Sequence, residues 1–69
     1  MKKTIKIKGM DNTACQGQVE KALLGLEGVS SADADYKTGI AVVTLNSEVP
    51  DAVFIRAIER LDFKVIEIK

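Results

Sequence analysis

Histidine is absent from this chain, and cysteine and proline occur once each, as Cys15 and Pro50. Without imidazole there is no histidine general base and no histidine-bearing zinc site. One cysteine cannot close an internal disulfide, which suits a reducing, cytoplasmic setting. The aromatic side chains are Tyr36, Phe54 and Phe63. None is interleaved with a basic cluster, so nucleic-acid binding has no support. Charge of one sign is lacking too: ten lysines and arginines balance ten aspartates and glutamates. No field steers the chain toward nucleic acid or an anionic membrane. No apolar run approaches bilayer-spanning length, and Met1-Lys2-Lys3 leads straight into a strand-like alternation with no signal-like segment. No paired carboxylates, phosphate loop or general base stand out, so an enzyme is not expected.

What is there reads as one small domain over residues 1–69. A chain of this length buries about 60% of its unfolded surface, enough for a thin core and no deep cleft. Ile5 and Ile7 alternate with Lys6 and Lys8, the period of a half-buried strand. After a break at Gly9–Ala14, Val19, Ala22, Leu23 and Leu26 recur at helical spacing, with Cys15 one turn earlier. Asn12 and Thr13 are both N-cap types, and Thr13 with Gln16 fits a capping box. Gly28 suits the helix stop. Ala32, Ala34 and Tyr36 alternate with Asp33 and Asp35 in a second strand. Lys37-Thr38-Gly39 makes a hairpin turn, and Ile40 to Leu45 a third strand, apolar on both phases. Pro50-Asp51 opens a second helix that buries Phe54, Ala57, Ile58 and Leu61. Phe63 to Lys69 is a fourth strand. The order is βαββαβ, an α+β arrangement. Right-handed crossovers place both helices on one face of a four-stranded antiparallel sheet and leave the other face open.

The run Ile5-Lys6-Ile7-Lys8-Gly9-Met10 resembles the entry to the metal loop of the heavy-metal-associated domain family, which includes copper chaperones. Val19-Glu20-Lys21-Ala22-Leu23, Leu26-Glu27-Gly28-Val29, Ala57-Ile58-Glu59 and Phe63 extend the resemblance over the whole chain. It implies a ferredoxin-like open-faced sandwich. The family loop reads Gly-Met-x-Cys-x-x-Cys; here the residues are Gly9-Met10-Asp11-Asn12-Thr13-Ala14-Cys15. By this resemblance Cys15 matches the second family cysteine and is the metal ligand. Asn12 stands at the position of the first, and Phe63 stands beside the loop where bacterial members often carry tyrosine. Asp62 stands where glycine is usual. The resemblance further implies a soft ion, Cu(I) first with mercury, zinc and cadmium as alternatives. It implies transfer to a metal-transporting ATPase or another metal-handling protein.

An asparagine amide oxygen is a hard, neutral ligand and does not replace a thiolate toward Cu(I). The site is therefore expected to be degenerate and weak, or to hold no ion. Cys15 is open to two readings: a thiol presented at the start of a helix, or a small apolar residue at the edge of the core. Asn12 is better read as an N-cap, Asp11 as a solvated loop residue and Met10 as core packing. A non-metal protein-interaction module on the same scaffold is the rival function, with a thiol redox role behind it. Homodimers are expected through Cys15 or through the open sheet face. Strand phase places Ile40 and Val42, and likewise Ile66 and Ile68, on that open face.

Overall fold

A computed structural model describes residues 1–69. The elements run β1 (Lys2–Lys8), α1 (Thr13–Leu24), β2 (Val29–Asp35), β3 (Ile40–Leu45), α2 (Asp51–Glu59) and β4 (Lys64–Ile68). The sheet order is β2-β3-β1-β4, and every neighbouring pair is antiparallel. This is the ferredoxin-like βαββαβ sandwich that the pattern predicts, with α1 and α2 packed on one face.

The core follows the strand alternation. Ile5 and Ile7 of β1 and Ala41, Val43 and Leu45 of β3 are buried, while Lys6, Lys8, Ile40 and Val42 take the opposite phase. Val19 and Leu23 of α1 and Phe54 and Ile58 of α2 close over them. The spacing of four in each helix puts each pair on one stripe. Met10 is buried in the same cluster, as its packing role requires. Val49, in the connection before Pro50, is a core residue that carries no periodic signal. An exposed ion pair between Lys3 Nζ and Asp51 ties β1 to the first turn of α2. Such a pair adds at most about 1 kcal/mol.

The structure corrects four local expectations. Helix α1 ends at Leu24 with Gly25 as its cap in right-handed conformation. Gly28 is not the stop. It lies at the entry to β2 with φ +96°, where a Cβ would come within 2.6 Å of Ser47 Oγ. The capping box does not form. With Asn12 as N-cap, Gln16 is one residue too far along to reach back, and its Oε1 accepts from the Tyr36 N–H at 3.0 Å instead. Tyr36 belongs to the turn rather than to β2, whose last residue is Asp35.

The fourth correction concerns the open face. Lys6 pairs with Glu67 and Ile7 with Val65, so one step on β1 is matched by two on β4. Ile66 is the extra residue of a β-bulge, and the phase resets after it. Ile68 therefore pairs with buried Ile5 and packs on the core, not on the open side. Ile66 itself is 56% exposed.

Candidate metal-binding loop

The loop between β1 and α1 is held from three sides. Gly9 turns the chain with φ +105°, and a Cβ at this position would stand 3.2 Å from Phe63 Cδ1. The Phe63 ring thus lies close against Gly9, and a side chain there would require the ring to give by a few tenths of an ångström, in addition to the strain of the positive φ. Met10 is driven into the core, 4% exposed, and anchors the loop from below. Asn12 then starts the helix. Its extended backbone (φ −153°) and its Oδ1, which accepts from the Cys15 N–H at 2.9 Å, make it a complete N-cap. That bond serves one of the amides a helix start leaves unpaired, and is worth about 1 kcal/mol.

Cys15 occupies the first turn of α1. It is half-buried, and it packs against the core cluster. Asp11, Asn12, Thr13 and Ala14 are exposed around it. Nowhere do three histidine, cysteine, aspartate or glutamate side chains converge. The loop brings one thiol and one carboxylate, Asp11, to the same short segment. The Asn12 oxygen is already engaged by the Cys15 amide. Two chemically different donors on one solvent-facing loop do not enclose an ion. A soft ion could take only the sulfur firmly, and its remaining ligands would have to come from outside the chain.

Asp62 ends the turn that follows α2, and Phe63 joins it to β4. Asp62 is the one non-glycine residue with positive φ, +67°. Aspartate tolerates this left-handed region better than most residues, but glycine meets it without steric cost.

Two side chains of α1 have partners that the sequence pattern does not specify. Gln16 and Glu20 lie four apart on α1, and both reach the outer edge of β2: Glu20 Oε2 accepts from the Ala34 N–H at 2.8 Å, beside the Gln16–Tyr36 bond. These bonds serve the Ala34 amide in β2 and the Tyr36 amide in the turn after it, and so tie the first half of α1, where Cys15 lies, to that side of the sheet. The available signal was two long acceptors on the helix flank adjoining the Val19–Leu23 stripe. Nothing in the sequence said which strand they would meet.

Comparison with known proteins places this geometry in context. The profile of the heavy-metal-associated domain matches residues 4–64. The periplasmic component of a mercuric transport system from Shewanella putrefaciens is 42% identical over 45 residues, which is 65% of this chain and 50% of that protein. Mercuric reductase from the same organism is 36% identical over 59 residues, 86% of this chain and 11% of the enzyme. The chain therefore spans half the length of the first and about a tenth of the second. Among solved structures, a CopZ metallochaperone superposes with a TM-score of 0.89 at 30% identity, over 96% of this chain and all of the other.

Proposed function

The chain belongs to the heavy-metal-associated domain family, and from that premise we propose that it is a metal-trafficking module whose own site is incomplete. Cys15 supplies the single strong ligand for a soft monovalent or divalent ion, Cu(I) in the first instance. The remaining ligands come from a small thiol, from the Cys15 of a second copy, or from a cysteine-bearing partner such as a metal-transporting ATPase. The observation that carries this reading is the loop itself. It keeps the glycine turn, the buried methionine and the helix-start thiol of a metal loop, yet gives the first-cysteine position to an N-cap whose oxygen is occupied. A one-thiolate site binds weakly and releases easily, which fits handing an ion on rather than storing it.

We assign no catalysis to the chain. The likeness to mercuric reductase covers 11% of that enzyme, and no general base or cofactor cradle accompanies Cys15. A reducing cytoplasm is the compartment in which a lone, half-exposed thiol stays available to metal. No helix is long and apolar enough to cross a membrane.

The test is an anaerobic Cu(I) titration in reductant, read by competition with a chromophoric chelator, on wild type and Cys15→Ser. Wild type should withdraw Cu(I) from a modest competitor when a small thiol is present, and Cys15→Ser should withdraw none. Equal retention by the two would refute the assignment. No retention by either would favour the rival reading, a protein-interaction module that keeps only the scaffold.

A further inference from the structure

The open sheet face is divided by charge into parallel strips. Cross-strand partners share a face, and the registers fix which side chains these are. Asp35 is opposite Ile40, and Ile40 is opposite Lys6 on its other side. Asp33 is opposite Val42. Because Ala34, Ala41, Val43, Ile5 and Ile7 are buried, these residues point away from the helices. The face therefore carries an acidic strip on β2, an apolar strip of Ile40 and Val42 on β3, and on β1 the basic Lys6 and Lys8, with the neutral Thr4 opposite Val42; the outer strand β4 adds Glu67 opposite Lys6 and Lys64 opposite Lys8. Asp35 is also held in place: its Oδ1 accepts from the Lys37 N–H at 2.9 Å.

We propose that this face is a self-association surface, with a second copy of the chain as its occupant, related by a two-fold axis lying along β3. A rotation about the strand direction keeps height along the strand and exchanges left for right. Ile40 and Val42 then stack on their own counterparts, and the β2 strip of each copy lies over the β1 strip of the other. Asp35 meets the partner's Lys6 because both are registered on Ile40. The alternative two-fold, perpendicular to the strands, would oppose Asp33 and Asp35 to themselves and is disfavoured by charge. The arrangement is isologous, so each charge contact occurs twice.

Sheets pack about 10 Å apart, close enough for aspartate and lysine to meet across the gap while the lysine stems cover the apolar strip. Three strands of six or seven residues bury on the order of 1,000 Å² in total, the lower limit for a specific interface. The dimer is therefore weak and salt-sensitive. The Cys15 loop lies on the helix side of the sheet and stays free, so this contact is independent of the metal reading above.

Sedimentation velocity over a concentration series, with reductant and chelator present to exclude thiol-linked or metal-linked pairs, tests it. Wild type should dimerise at low ionic strength, and its dissociation constant should rise at least tenfold in about 0.5 M salt, where the screening length falls to roughly 4 Å. Asp33→Lys/Asp35→Lys makes both outer strips basic, and Lys6→Glu/Lys8→Glu makes both acidic; each variant alone should be monomeric. An equimolar mixture of the two should restore a dimer. All four positions are exposed or at the sheet surface, and circular dichroism checks that each variant is folded. A monomeric wild type throughout, a variant that dimerises as wild type does, or a mixture that stays monomeric would each overturn the proposal.

Discussion

Replacing Asn12 by cysteine sets two effects of known size against each other at one position. The cost is the N-cap. Asn12 Oδ1 accepts from the Cys15 N–H at 2.9 Å, and sulfur is a weak acceptor, so the metal-free variant should lose about 1 kcal/mol. In a domain of this size that lowers Tm by about 4–8 °C. The gain is a second thiolate three residues from Cys15 on a loop already held by Gly9, Met10 and Phe63. A tethered second ligand typically raises affinity by about 10²–10⁴-fold, equivalent to about 3–5.5 kcal/mol. The two terms have opposite sign and the second is larger. The variant should therefore be less stable than wild type without metal and more stable with Cu(I). Chemical denaturation of both proteins, with and without one equivalent of Cu(I), reads the crossing directly. Asn12→Ala is the control, with the same loss and no gain. A variant whose Cu(I) affinity stays within error of wild type would refute the expectation that a sulfur at position 12 can share an ion with Cys15.

Three further outcomes follow from local geometry. Gly28→Ala should cost about 2–3 kcal/mol, because φ is +96° and the new Cβ would lie 2.6 Å from Ser47 Oγ and 2.8 Å from Val49 Cγ2; an unchanged urea midpoint would contradict the close approach. Asp62→Gly should stabilise by about 0.5–1 kcal/mol, since Asp62 is held at φ +67°, and a lowered Tm would mean the aspartate side chain compensates. Glu20→Ala should cost about 1–2 kcal/mol and speed hydrogen exchange at the Ala34 amide, its 2.8 Å partner; equal protection in both proteins would remove Glu20 from the β2 edge.

Much of the fold was legible because period and punctuation agree. The alternation around Ile5–Ile7, the spacing of four between Val19 and Leu23 and between Phe54 and Ile58, and the glycine at the β2–β3 turn all point the same way. Asn12 was legible as a cap because its residue type and its place before an apolar helical stripe coincide. The β4 bulge was not. Lys64-Val65-Ile66-Glu67-Ile68 has apolar residues on both phases, so either register satisfies the pattern, and the choice is made by the partner strand, where Ile68 is drawn onto buried Ile5. Gly28 was misplaced because a glycine after a helix fits a stop as well as a tight strand entry. Its true constraint, Ser47 and Val49, lies about twenty residues away in sequence. A long-range contact of the same kind decides Gln16: its spacing from Thr13 fits a capping box, but its acceptor serves Tyr36, twenty residues away. In the loop, the sequence shows which donors exist, and only the fold shows that the Asn12 oxygen is already taken.

The central claim is that this chain contributes one sulfur to a soft ion and borrows the rest. The most direct measurement is the Cu(I) stoichiometry of the purified, reduced protein after removal of loosely held metal, with sulfur coordination counted by X-ray absorption. With no added thiol, one ion should be retained per two chains, each giving its Cys15, or none should be retained. With excess glutathione, retention should rise to one per chain, with two or three sulfurs around each ion. A protein that holds one Cu(I) per chain, tightly and without any external thiol, would contradict the account.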